Sequence, residues 1–141
     1  ALLQKDSKQT NKELSNKLHL SVTAVYERIK KLENAGIIQK YVALVDKKLI
    51  DKNFVAHCHV RLTQHSKEFV MQFEREIIKL EEVLECYHVS GDYDYILKVL
   101  VTDMEAYRDF MVTKLTAIPN IGNTHSIFVI GEVKHTTAIS I

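Results

Sequence analysis

Residues 10–36 constrain this chain more than any other stretch, because they spell two helices joined by a tight turn. Thr10-Asn11-Lys12-Glu13 is a capping box. The Thr10 hydroxyl can accept from the backbone N–H of Glu13, and the Glu13 carboxylate can reach back to the N–H of Thr10. Leu14 and Leu18 then fall four apart on one helical face. His19-Leu20 interrupts, and Ser21 is a good N-cap for a second helix over 22–34 or 22–35. In that helix Val22, Val25, Ile29 and Leu32 recur at spacings of three, four and three, one apolar stripe expected to face the core. Gly36 stands just beyond the helix, where a left-handed residue is needed.

A helix pair of this kind fits the major groove of DNA, with the N-terminal residues of the second helix on base edges. If the stripe faces inward, Thr23, Ala24, Glu27, Arg28, Lys30, Lys31 and Asn34 face outward or sideways. Thr23 and Ala24 are short enough for close approach and can meet thymine methyls or phosphates. Arg28 has the fork geometry for guanine or phosphate, whereas Lys30 and Lys31 suit phosphates. Glu27 can accept from cytosine or pair with Lys31 one turn on. Thr10, Asn11 and Ser21, at the two helix starts, complete the expected DNA-contacting set.

Charge supports this division of labour. The formal net charge is only +1. Residues 1–48, however, hold ten Lys and Arg against five acids, and the remainder nine against thirteen. A part at +5 followed by a part at −4 is what a polyanion-binding unit joined to a different kind of unit would show. At 141 residues the chain can form one ordinary domain or two small ones. No apolar run is long enough to cross a bilayer, and no secretory leader opens the sequence, so a soluble, cytoplasmic protein is expected. The opening ALLQK reads as the end of a helix, without a cap or an initiator Met, and further N-terminal residues are expected before it. Cys58 and Cys86 lie in separate apolar segments with no C-x-x-C pair, which predicts two free thiols.

After the helix pair, 37–45 reads as a strand resembling a wing, and the polar stretch 47–53 as a linker. The rest alternates. Residues 54–62 have period two, with Phe54, Ala56, Cys58, Val60 and Leu62 on one face and Val55, His57, His59 and Arg61 on the other. An amphipathic helix is expected over 66–80, with Phe69, Val70, Phe73, Ile77 and Leu80 inward. Strands follow at 83–89 and 95–101, a second helix at 103–117, a break at Pro119-Asn120 and a strand at 124–130, with a further short one at 136–139. The order β-α-β-β-α-β is a ferredoxin-like split βαβ. The sheet face away from the helices carries apolar side chains too, so a second subunit is expected to cover it.

Several of these stretches together resemble the Lrp/AsnC, or feast/famine, transcription regulators: NKELSNKL at 11–18, ERIKKLE at 27–33 with GII at 36–38, EEVLEC at 81–86, VSGDYDY at 89–95 and DMEAY at 103–107. The resemblance covers nearly the whole chain. It implies an α+β protein: an N-terminal winged helix-turn-helix (1–46), a linker (47–53) and a C-terminal RAM domain (54–141) of ferredoxin-like βαββαβ topology that senses ligand and assembles subunits. It further implies a nucleoid-associated bacterial or archaeal protein that forms homodimers and then octamers or similar assemblies. Such a protein binds double-stranded promoter DNA and often responds to a free amino acid. Two positions depart from the family's pattern. His19 stands where Gly is common in the turn, and Val22 where Pro is common at the first helical position.

By the same resemblance, the effector lies at Ser90, Gly91, Asp92, Tyr93 and Asp94, with Thr124 and Ser126 nearby. Asp92 or Asp94 would hold an ammonium. The Gly91 N–H and the Thr124 and Ser126 hydroxyls would hold a carboxylate. Gly91-Asp92 is equally a common turn former. His57-x-His59 could pair on a metal, but no further ligand stands at the right spacing, and no metal site or other cofactor is expected. No nucleophile, base or phosphate loop accompanies Asp92 and Asp94, so no catalytic residue and no enzyme is expected. The competing readings are an effector-blind, nucleoid-organising DNA-binding protein and a small-molecule-binding ferredoxin-like module.

Overall fold

The computed structural model describes residues 1–141. It divides into two compact units, one formed by 1–45 with 133–141 and the other by 46–132. No helix is long and apolar enough to cross a membrane.

The first unit holds three helices, α1 (Leu2–Lys5), α2 (Asn11–Leu18) and α3 (Val22–Asn34). Their ends form as the local chemistry dictates. Glu13 N–H donates to Thr10 Oγ1 at 3.2 Å and Thr10 N–H to Glu13 Oε2 at 2.7 Å, closing the capping box. His19 ends α2 in the left-handed region at φ 52°, where a Gly would cost nothing, and its neighbour Ser21 accepts from Ala24 N–H at 3.1 Å to begin α3. Gly36, at φ 70°, returns the chain while Ile37 N–H bonds Leu32 O at 3.0 Å.

Leu14 and Val25 are buried, and Ile29 is half-buried. The stripe is not covered along its length, however: Val22 is 48% and Leu32 37% exposed. A three-helix unit this small has too little neighbouring chain to enclose both ends of α3. Two further expectations fail. Neither 37–45 nor 136–139 forms a strand, because a strand needs a neighbour for its ladder and no other strand lies in this unit. The segment 133–141 instead belongs to the first unit, where Ile139 exchanges two bonds with the Gln4 side chain, at 2.6 and 2.9 Å.

The second unit opens with a 3₁₀ turn, Lys47–Ile50, capped by the Asp46 carboxylate on Lys48 N–H. Then come β1 (Phe54–Leu62), α4 (Lys67–Ile77), β2 (Val83–His88), β3 (Tyr95–Val101), α5 (Met104–Asp109) running into a π-helical turn at Phe110–Leu115, and β4 (Ile121–Phe128). The four strands form one antiparallel sheet in the order β2-β3-β1-β4. That is the βαββαβ topology the alternation predicted. Ala56, Cys58, Val60 and Leu62 of β1 and Tyr95, Leu97, Val99 and Val101 of β3 share one core with Phe73, Ile77, Tyr107, Phe110 and Leu115. Both helices therefore cover the same face. The other face carries His57, His59 and Arg61 of β1, whose cross-strand partners include Lys98, Ile96, His125 and Ile127.

Both cysteines are free. Burial pushes the Cys58 thiol up, and burial with the Glu74 charge pushes Cys86 up to about 11. The thiolate is the nucleophile. Folded protein at neutral pH is therefore expected to leave both thiols unmodified by a disulfide reagent for as long as the sheet stays closed. Rapid titration of either thiol without denaturant would contradict this burial.

Candidate DNA interface and effector site

α3 presents its charged residues unequally. Thr23, Glu27, Arg28, Lys30 and Lys31 are exposed and Ala24 half-buried, next to exposed Ser21; Thr10 is exposed and Asn11 half-buried at the start of α2. Lys30 Nζ is held by Glu33 at 2.8 Å and lies 5.9 Å from the Tyr26 ring centre. Hydrogen bonding and the charge of Glu33 raise the Lys30 pKa, so it stays cationic. Glu33 also accepts from Tyr41 Oη at 3.0 Å. No Glu27–Lys31 pair forms among the ion pairs of the chain. Arg28 and Lys31 are thus unneutralised cations on the outer side of α3.

In the second unit the β2–β3 turn is closed by Val89 N–H on Asp94 O at 2.8 Å and Asp94 N–H on Val60 O at 2.9 Å. Gly91 takes φ 123°, a conformation that side chains disfavour. Asp94 is committed within the chain. Its Oδ2 accepts from Leu62 N–H at 2.7 Å, and Oδ1 lies 2.9 Å from His65 Nε2. Burial pushes its carboxyl up, but the Leu62 bond and His65 outweigh that and leave it below the usual carboxylate range. Asp92 differs: its carboxylate makes no bond in the chain, while its backbone oxygen accepts from Arg61 Nε at 2.6 Å and from Arg61 Nη2. Tyr93 lies against His59 and His125, with ring centres 5.3 and 6.2 Å apart.

Ser126 and Thr124 sit elsewhere. They pair in register with Cys58 and Val60, which places them on the helix-covered face of β4, and Ser126 Oγ shares a 2.6 Å bond with Tyr107 Oη. Of the residues singled out from sequence, 90–94 are brought together. Thr124 and Ser126 lie across β4 from His125 rather than beside Tyr93.

Each unit has known counterparts. Residues 1–39 match the winged helix-turn-helix DNA-binding family, and residues 55–139 match the Lrp/AsnC ligand binding domain. The chain belongs to the Lrp/AsnC family. It is 38% identical to the leucine-responsive regulatory proteins of Escherichia coli (strain K12) and Salmonella typhimurium, over 99% of this chain and 85% of theirs. A transcriptional regulator of Neisseria meningitidis, solved as its L-Met complex, superposes with a TM-score of 0.94 at 33% identity, covering 99% of this chain and 90% of that one. An AsnC family regulator of Agrobacterium tumefaciens superposes with 0.94 at 34%, with the same coverage. The feast or famine regulatory protein of M. tuberculosis, complexed with L-methionine, gives 0.83 at 25%, covering 98% of this chain and 91% of that one.

The chain is therefore a transcription regulator with a DNA-binding helix-turn-helix and a ligand-binding α+β domain. Sequence reasoning did not include Arg61, His59 and His125 in the site around Tyr93. The only local signal was the alternation along β1, which put His59 and Arg61 on the uncovered face without saying what else lay there.

The double commitment of Asp94 carries a prediction. Asp94→Asn keeps the size but weakens both bonds, and is expected to cost about 1–2 kcal/mol of stability at neutral pH. A carboxyl held below its unfolded value stabilises the fold above that unfolded value and ceases to do so as pH falls through the depressed one. The gap between variant and parent should therefore begin to narrow as pH falls below about 4 and go on narrowing as it falls further. Urea titrations at pH 7 and pH 3 read this directly, and an equal gap at both would contradict it.

Proposed function

We propose that the winged helix-turn-helix domain, taken as residues 1–46, reads promoter DNA in the major groove with α3. Thr23, Ala24 and Arg28 would meet base edges, and Lys30 and Lys31 with Thr10, Asn11 and Ser21 would meet phosphates. The observation that carries this is the pair of free cations, Arg28 and Lys31, on the outer side of the helix that follows the Ser21 cap. The ligand-binding domain, taken as residues 54–141 after a linker at 47–53, binds a free amino acid at Ser90, Gly91, Asp92 and Tyr93. The L-methionine complexes of the Neisseria and mycobacterial neighbours support that ligand class. Asp92 is the better acceptor for the ammonium, since the Asp94 carboxylate is already bonded. Asp94, Thr124 and Ser126 support the site from behind.

The protein acts as a homo-oligomer in the cytoplasm and carries out no catalysis. The uncovered sheet face, with Ile127 of β4 at 46% exposure and half-buried Ile96 and Leu100 of β3 on the other side of β1, gives a second copy apolar side chains to cover. Paired subunits would set two α3 helices at a fixed spacing on DNA.

Titrating a labelled fragment of the protein's own upstream promoter, with and without each amino acid and against excess nonspecific DNA, tests this. A ligand-dependent shift in affinity or complex size is expected. A promoter affinity no better than that of the competitor, unchanged by every amino acid, would favour a nucleoid-organising protein without an effector.

A further inference from the structure

Around Tyr93 three basic side chains converge from two strands. Arg61 Cζ lies 5.5 Å from the ring centre, His59 presents an edge at 5.3 Å, and His125 stacks at 6.2 Å. The two imidazole centres are 6.1 Å apart, because His59 and His125 are direct partners in the β1–β4 register. Arg61 spends two N–H groups on the Asp92 carbonyl, and a guanidinium has five. Three donors remain for something outside the chain.

The charges facing this cluster are few. On β1 there are His57 and Arg61. From β3 comes Lys98, which is neutralised by Glu85 of β2 at 2.8 Å, with Glu85 also bonded to Tyr87. The turn supplies the Asp92 carboxylate. His65 and His88 belong to Asp94's surroundings instead. No carboxylate is bonded to His59, His125 or the spare guanidinium N–H groups. Two imidazolium ions beside a guanidinium repel one another, and an anion placed among them removes that cost.

We infer that Arg61, His59 and His125 form a proton-coupled carboxylate clamp. The guanidinium holds the carboxylate of the bound amino acid, the imidazoles engage it in their protonated form, and Asp92 takes the ammonium. This rests on the amino-acid reading above and adds a regulation to it. Binding draws in protons, so the effector is held more tightly in mild acid than in mild base. Histidine is the side chain whose charge changes across that range.

Calorimetric titration of the full chain with L-methionine, and separately with L-leucine, in amine buffers at about pH 6 and about pH 8 tests the clamp. Affinity is expected to fall about tenfold or more across the interval, since each linked proton can contribute up to about tenfold per pH unit. The double variant His59→Gln/His125→Gln should bind more weakly than the parent at the lower pH and lose that slope. His57→Gln, on the same strand face but outside the clamp, should keep the slope. In the unmodified protein, two of the seven imidazole titrations followed by NMR should move to higher pH when ligand is added. A flat affinity across pH in the parent, or an undiminished slope in the double variant, overturns the clamp alone. Binding of no amino acid at either pH overturns the amino-acid reading and the clamp with it.

Discussion

Replacing Arg28 and Lys31 together by alanine is expected to weaken promoter binding by two orders of magnitude or more at moderate salt, and to flatten its salt dependence. Each residue is an exposed cation on α3 with no carboxylate partner. Lys30 is the internal comparison, since Glu33 already holds its ammonium. An Arg on a base edge contributes about 1–3 kcal/mol of affinity, and a Lys on phosphate lowers the salt slope by about one unit when removed. Two such losses per protomer, doubled in the paired reader proposed above, would give an effect of this size. Lys30→Ala should cost distinctly less, because the Glu33 carboxylate already offsets most of the Lys30 charge that DNA would meet. The variants are surface changes and should leave stability within about 0.5 kcal/mol of the parent. Fluorescence anisotropy over a salt series measures affinity and slope for both variants, and urea unfolding checks their stability. An unchanged affinity and slope in the double variant would mean that α3 does not lie on DNA.

The second large effect concerns the sheet that builds the ligand-binding unit. Phe73→Ala is expected to destabilise that unit by about 3–5 kcal/mol. Phe73 is fully buried, its ring centre 4.6 Å from that of Tyr95, in the core shared by α4, β1 and β3. Removing the ring strips contacts from both layers. Tyr95 cannot swing in to fill the space, because its hydroxyl is held by Glu74 Oε1 at 2.9 Å. A loss of this size is a large part of the roughly 5–15 kcal/mol that such domains possess. Ile78→Ala, one residue past the end of the same helix and 78% exposed, should change stability by no more than about 0.5 kcal/mol. Urea unfolding followed by near-ultraviolet circular dichroism separates the two. A loss below about 1 kcal/mol for Phe73→Ala would mean that this core is not packed as described.

Much of the local architecture was legible in the sequence, and the reason is distance along the chain. The Thr10–Glu13 box, the Ser21 cap, the left-handed His19 and Gly36, and the Asp103 cap on Ala106 N–H all join residues three or four apart, or concern a single residue. Nothing remote has to be known to write them down. The period-two alternation of β1 and the helical spacing of Phe73 and Ile77 are likewise local, and they chose the covered face of the sheet correctly. The same reasoning overreached where a local pattern needs a neighbour. Residues 37–45 read as a strand but have none to pair with, and the two ends of the α3 stripe at Val22 and Leu32 have too little chain to cover them.

The site around Tyr93 belongs to the tertiary structure alone. Arg61 reaches the Asp92 carbonyl across 31 residues of sequence, and Leu62 bonds the Asp94 carboxylate across 32. Ser126 is turned to Tyr107 across 19. Those three contacts decide which acid is free, which is structural and which hydroxyl is already engaged. The sequence could supply the residues and their alternation. Only the order β2-β3-β1-β4, with His59 opposite His125, could set two imidazoles and a guanidinium around one tyrosine. Cross-strand register is set by the packing of whole faces rather than by the residues that happen to meet there.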